Sequence, residues 1–367
     1  GLGDDYDVLF LQGGASTGFL ISAYNMLREN NRGGYINTGS WANKAVKEGK
    51  WVGDALEVAS SKEANYNFIP KGYESPTDVD YLHYTSNNTI FGTQYHHIPD
   101  VTVPLVCDMS SDIFSRPIDA SKFDLIYAGA QKNMGPAGTT VYIFKKEILG
   151  KSSADIPTML NLKTHADKDS MFNTPPVFPV YVSMLVLRWI KSLGLEEVGR
   201  RNEAKANLLY GEVERNGMFK ATAALEDRSR MNGTFVLADG IDEGLNQTFL
   251  DMAAEANISG IKGHRSVGGF RASMYNALPI ESVGALVDVM KAFEEKYGFN
   301  KTSKSTFFLD IIKSTILSIL IGGFLLFAAL YLYDNINEGF WLWLWIGLSL
   351  LMVFINMFYA DLIVPIF

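Results

Sequence analysis

The 367-residue chain has a single cysteine, Cys107, so no internal disulfide can form and a reducing compartment is expected. Basic residues are in the minority, 32 lysines and arginines against 40 aspartates and glutamates, and the net charge of −8 disfavours a nucleic-acid surface. Histidines number five. His96 and His97 are adjacent, but no acidic or cysteine ligand cluster accompanies them, so no metal site is expected. A basic stretch leading into an apolar run is absent from the start, Gly1-Leu2-Gly3-Asp4-Asp5, so no signal peptide is expected there. The chain reads as beginning inside a domain. Charge is missing from two runs near the other end, 314–333 and 340–359. The mean hydropathy of +0.05 therefore averages an enzyme-like body with a very apolar tail.

What is present is organised around Asp124 to Gly138. An apolar strand ends in small residues, offers one lysine, Lys132, and closes in the turn Gly135-Pro136-Ala137-Gly138. Burying that amine disfavours its charged form, and the neutral form is the nucleophile a Schiff base requires. Twenty-four residues earlier, Asp108 ends the apolar run Val103 to Cys107. A carboxylate there is costly without a partner, and two successive strands would bring it to the same site as Lys132. It could equally cap the Ser110-Ser111 turn. Val8 to Leu11 runs into Gln12-Gly13-Gly14-Ala15-Ser16, the strand–glycine–helix pattern in which free N–H groups meet a phosphate. Near the C-terminal side, Gly260 to Ser273 is a glycine-flanked hairpin carrying His264, Arg265 and Arg271, and guanidinium forks match carboxylate and phosphate.

Six patches in order are LFLQGGAS, HYTSNNTI, CDMSSDIFSRPID, the Lys132 segment, NTPPVFPVY and GIKGHRSVGGFRASMYNA. Together they resemble the phosphoserine aminotransferase family, class V of the fold-type I pyridoxal-phosphate (PLP) enzymes, over about 1–298. The resemblance implies an α/β fold: a mixed, mostly parallel sheet flanked by helices in a large PLP domain (1–190), then a small α/β C-terminal domain (191–298). It implies PLP as cofactor, with Lys132 as the Schiff-base lysine and proton carrier, and Asp108 as the partner of the pyridine nitrogen. Ala15 and Ser16 would bind the cofactor phosphate, Trp41 would stack on the ring, Thr89 would meet the phenolic oxygen, and Gln131 would flank the lysine. Asn173 and Thr174 would serve the cofactor of a homodimer partner. Arg271 would clamp the substrate α-carboxylate, with His264 and Arg265 on its side-chain phosphate or carboxylate. The implied substrates are glutamate and a phosphorylated 2-oxo acid, 3-phosphohydroxypyruvate, in serine synthesis, with the related intermediate of pyridoxine synthesis as a second substrate, within the cytoplasm. Two departures stand out. Gly18 occupies a position where the family pattern carries a larger polar residue, which predicts a looser first helix. Family members also begin about 60–70 residues earlier, with a further His-Arg pair. The alternatives are an inactive, membrane-tethered fragment and another class V PLP enzyme.

Coarser expectations are an aromatic-bearing loop at Trp41, an amphipathic helix over 44–58, an extended piece at Leu160 to Leu162, and helices over 181–193, 196–216, 249–256 and 277–297. Beyond a linker (299–313), the runs 314–333 and 340–359 are each long enough to cross a bilayer, joined by the acidic link Asp334 to Gly339. Lys301, Lys304 and Lys313 place both ends of this two-helix transmembrane hairpin on the cytoplasmic side. The tail, 299–367, resembles a membrane-embedded piece of the CAAX prenyl protease-type zinc metalloproteases. It carries no HExxH, so proteolysis is not expected.

Overall fold

The computed structural model describes residues 2–298 and, beyond them, only Gly323, Gly339, Ile346 and Gly347. The expected linker and membrane hairpin thus lie outside the described residues. By contacts, 1–296 forms one compact unit and 297–367 another.

In chain order the elements are β1 (Tyr6–Gly13), α1 (Ala15–Met26), β2 (Arg32–Asn37), α2 (Ser40–Val52), β3 (Asp54–Ser60) and β4 (Tyr81–Thr85). A small hairpin follows, β5 (Asn87–Asn88) and β6 (Thr93–Gln94), then β7 (Leu105–Asp108), β8 (Leu125–Gly129) and β9 (Gly138–Lys145). Next are α3 (Leu162–Ala166), α4 (Val177–Leu193), α5 (Leu195–Arg215), β10 (Phe219–Ala221), β11 (Asn232–Leu237), α6 (Leu245–Glu255), β12 (Phe270–Ser273) and α7 (Ile280–Tyr297). Seven strands form one sheet in the order β1-β9-β8-β7-β4-β2-β3. β8, β7, β4, β2 and β3 run parallel, while β9 is antiparallel to both its neighbours. The mixed, mostly parallel sheet matches the expectation.

Alternation along the strands builds two cores, one on each face. Tyr35, Tyr81, Val106, Leu125, Tyr127 and Tyr142 face α1 and α2, packing on Phe19, Ile21 and Val46. Ile36, Leu82, Cys107, Ile126, Ala128 and Val141 face the other way. A second sheet, β10-β11-β12, is antiparallel. Its aromatics interlock with those of the helices; Phe249 of α6 meets Phe270 of β12 edge-on with centroids 4.6 Å apart, and Phe293 of α7 lies 5.6 Å from Phe219.

Several expectations are corrected. Trp41 lies in the first turn of α2, not in a loop. α2 ends at Val52, because Gly53 closes it with a bond to the Gly49 carbonyl, and 54–60 becomes strand β3, pinned to β2 and to Arg32 through Asp54 (2.6 Å). Leu160 to Leu162 is not extended: a 3-10 turn at Thr158–Leu160 leads into α3, capped by Asn161, whose side chain accepts from the Lys163 N–H. α4 starts at Val177, four residues earlier than predicted, and takes Pro179 into its first turn, where an N–H has no helical acceptor anyway. α4 and α5 meet at 90° through Gly194, whose φ of +83° suits glycine. α6 begins earlier than predicted, at Leu245, and α7 later, at Ile280, after Pro279. Gly18 has a physical reason: a Cβ there would lie 2.5 Å from the Tyr127 ring, and α1 runs unbroken through it.

Lys205 of α5 is only 1% exposed, and its amine donates to the carbonyls of Met274 (2.9 Å) and Tyr275 (2.7 Å). No carboxylate pairs with it among the described residues, and burial pushes its pKa down to about 8. Below about pH 8 the amine is charged in both folded and unfolded chains, so burying the charge weakens the fold in full. Above that the folded chain releases its proton first, and stability rises towards the ordinary lysine value. Chemical denaturation is expected to show this rise, and Lys205→Met to abolish it; a rise of the same size in the variant contradicts the assignment.

Candidate active site

The site assembles at the carboxyl ends of β7 and β8, which are neighbours in the sheet. Asp108 ends β7, buried, and accepts from the Ser110 N–H (2.9 Å). It therefore caps the turn and faces the site together. Burial pushes its carboxyl above the ordinary range, with Ser110 and Lys132 opposing. Lys132 follows β8 in a turn tied back by Met134 N–H and Gly135 N–H, both donating to the Ala130 carbonyl. Burial pushes the Lys132 amine down; Asp108 and Asp112 pull it up, and Arg271 adds to the lowering. Burial thus shifts the amine towards its neutral, nucleophilic form.

Trp41 lies 5.8 Å from the Lys132 nitrogen, ring centroid to Nζ, and its indole N–H donates to Thr89 Oγ1 (3.1 Å). Lys44, three residues along α2, stands over the same ring at 4.3 Å. Arg271, on β12, reaches across the chain and donates through Nη1 to the Thr89 carbonyl (3.1 Å). The structure thus gathers Lys132, Asp108, Trp41, Thr89 and Arg271. Ala15 and Ser16 open α1 behind Gly14, where no side-chain cap engages the helix and an added Cβ would meet open space. The first N–H groups of such a helix have no internal acceptor. Gln131 is exposed and folds its amide over Gly129.

Two predicted groups stand apart from this cluster. Asn173 and Thr174 lie in an exposed loop against Gln12: Gln12 Nε2 donates to the Thr174 carbonyl (3.1 Å) and Asn173 Nδ2 to Gln12 Oε1 (3.4 Å). His264 and Arg265 sit at the hairpin tip, where His264 Nδ1 pairs with Ser266 Oγ (2.7 Å). His96 bonds the Arg228 carbonyl (2.9 Å), and among the described residues no group of three His, Cys, Asp or Glu could hold a metal.

Two buried polar atoms at the site have no partner: Arg271 Nε and Thr85 Oγ1, the latter directly opposite Asp108 in the sheet. An unsatisfied buried guanidinium N–H is expensive. An anion beside Lys132 would satisfy it.

The class V aminotransferase family matches residues 1–286. The phosphoserine aminotransferase of Flavobacterium psychrophilum is 58% identical over 295 residues, covering 80% of this chain and 82% of that protein. The chain belongs to the phosphoserine aminotransferases. The Bacteroides fragilis member is 56% identical over 293 residues, again covering 80% of this chain and 82% of the relative. The solved Bacillus circulans phosphoserine aminotransferase superposes with a TM-score of 0.76 at 44% identity, covering 80% of this chain and 82% of that one. The PLP-bound enzyme of Trichomonas vaginalis gives 0.75 at 35%, covering 79% and 83%. Phosphoserine aminotransferases are PLP enzymes, and the residues here fit that group: a half-buried lysine of lowered pKa, a buried carboxylate, an indole face and an open helix N-terminus. Separately, residues 292–367 match the N-terminal region of CAAX prenyl proteases, described as five membrane helices. Among the described residues no single helix is long and apolar enough to cross a membrane.

Sequence reasoning did not find the Arg271–Thr89 contact or Lys205. Nor did it find Asn133, buried beside Lys132, though an asparagine directly after that lysine was a visible signal.

Proposed function

We propose that the chain moves the amino group of glutamate to 3-phosphohydroxypyruvate, reversibly, with Lys132 as the reacting amine. The observation that carries this reading is the Arg271 guanidinium held over Thr89 with its Nε unpartnered, next to the Lys132 amine. PLP, when bound, supplies a ring that accepts the electron pair left as the substrate's α-proton departs. Arg271 holds the substrate α-carboxylate through its free N–H edge. Lys132 would hold the cofactor and, as a neutral base, would take the substrate's α-proton and give it back. Asp108 would hold the pyridine nitrogen with its carboxylate, Trp41 would keep water from the ring, and the α1 N-terminus would meet the phosphate. His264 and Arg265, at the hairpin tip, suit the distal phosphate of the oxo acid.

A coupled assay for 2-oxoglutarate formation tests this. Arg271→Leu is expected to lower kcat/KM for glutamate roughly 30- to 1000-fold, the size of losing one partner of a desolvated charge pair. Most of the effect should appear in KM. A variant with the parent's KM would remove Arg271 from the carboxylate site.

The exposed apolar stripe of α4, with Phe178 70%, Val177 67% and Tyr181 55% accessible, supports a homodimer through this face. Asn173 and Thr174 lie at its edge, consistent with service to the partner's site. Sedimentation at micromolar concentration should give a dimer, and a monomer of full activity would contradict it. The match at 292–367, together with the two uncharged runs, supports membrane attachment of the tail. Release of the chain from membranes by alkaline carbonate alone would overturn that.

A further inference from the structure

Three buried asparagines from distant parts of the chain meet behind the Lys132 turn. Asn133 follows the lysine; its Nδ2 donates to the Ile113 carbonyl (3.2 Å), and its Oδ1 accepts from the Asn276 N–H (3.0 Å). Asn276 lies between β12 and α7, and its own side chain donates to the Phe114 carbonyl (3.0 Å) and accepts from Asn202 of α5 (2.8 Å). Asn202 donates in turn to the Ser115 carbonyl (3.0 Å). Side-chain amides therefore hold three successive carbonyls, Ile113 to Ser115, of the loop that leaves Asp108. Phe114 in that loop has a φ of +55°, a costly conformation for an aromatic that persists only where surroundings impose it. Lys205 adds a further clamp by holding the carbonyls of Met274 and Tyr275, directly ahead of Asn276.

The elements joined are the ones the chemistry needs in register. Asn133 reports the position of Lys132, the 113–115 loop that of Asp108, and Asn276 lies five residues after Arg271 on the same segment. Hydrogen bonds chained in this way strengthen one another, and of the three side-chain amides only Asn202 Oδ1 is left without a partner. We propose that Asn276 is a positioning residue: with Asn133 and Asn202 it locks the Lys132 turn and the Asp108 loop to the segment that carries Arg271. This rests on the reading of Lys132 as the reacting amine, and its test includes a readout that needs no turnover. The groups acting on that amine are Asp108 from β7, Asp112 from the following loop and Arg271 from β12, with burial the largest influence. Loosening the lock admits water and moves Arg271 away, and both changes raise the Lys132 titration midpoint.

The experiment measures acetic anhydride labelling of Lys132 against pH in the cofactor-free full-length chain, read by mass spectrometry, for the parent, Asn276→Ala and the uncharged Asn202→Leu. Both variants are expected to show a higher midpoint. When loaded with PLP they should lose roughly 10- to 100-fold in kcat, the scale of a small displacement of a reacting group, with a smaller change in KM for glutamate. If Asn276→Ala does not fold, Asn202→Leu gives the same readout. A folded variant whose midpoint equals the parent's overturns the proposal, whatever its kcat, because lost packing alone would not move Lys132. A parent lysine that labels with an ordinary midpoint would instead undermine the reading of Lys132 itself.

Discussion

Lys132→Ala is expected to reduce turnover by at least about 10⁴-fold, because in the proposed reading one side chain is both attachment point and proton carrier and general acid–base catalysis alone is worth up to that factor. The fold should survive. Lys132 is half-buried in a turn whose backbone bonds run through Ala130, Met134 and Gly135 and do not use the amine. Removing a desolvated cation also relieves a cost, so the cofactor-free variant should be no less stable than the parent. Purified variant with PLP, assayed with glutamate and 3-phosphohydroxypyruvate over hours, gives the measurement. Turnover within tenfold of the parent would transfer the proton-carrying role to another group.

Asp108→Asn carries the second large effect, and it separates activity from stability. Asparagine keeps the shape and can still accept from the Ser110 N–H, so only the charge is lost. Loss of one preorganised electrostatic partner costs on the order of 10²–10³-fold in kcat. Stability should move the other way. Burial raises the Asp108 pKa, so the charged carboxylate costs the folded chain more than the unfolded chain, which hydrates it. That cost is absent at low pH, where the group is protonated in both states, and sets in as pH climbs through the unfolded and then the folded value. The amide removes it, and the cofactor-free variant is expected to melt higher at pH 7 than the parent. A variant both less stable and fully active would contradict the role given to Asp108.

What the sequence made legible was local. The Lys132 turn, the Gly13-Gly14 turn and the strand ending in Asp108 are each specified by a few neighbouring residues. Strands as apolar as β7 and β8 admit only a buried place in a sheet with both faces covered. The extended character of 54–60 was missed because a helix pattern ran up to it, and the stop is a single glycine, Gly53. The first turn of α4 was missed because prolines argue against helix unless they fall where no N–H acceptor is needed. Long-range partners were out of reach in another sense. Arg271 and Thr89 are 182 residues apart, and Asn276 and Asn133 are 143 apart. Nothing in the spacing of either residue names the other; only the sheet order and the packing of β11 and β12 bring them together. Lys205 looked like an ordinary helical lysine, and its burial depends on where α5 meets the 274–276 segment.

The most direct test of the account is the absorbance of the PLP-loaded full-length chain before and after glutamate, and again after 3-phosphohydroxypyruvate. The account predicts a visible band that glutamate bleaches, that the phosphorylated oxo acid restores, and that Lys132→Ala lacks. A band that forms on Lys132 but stays unchanged with glutamate would contradict amino transfer as the function of this site.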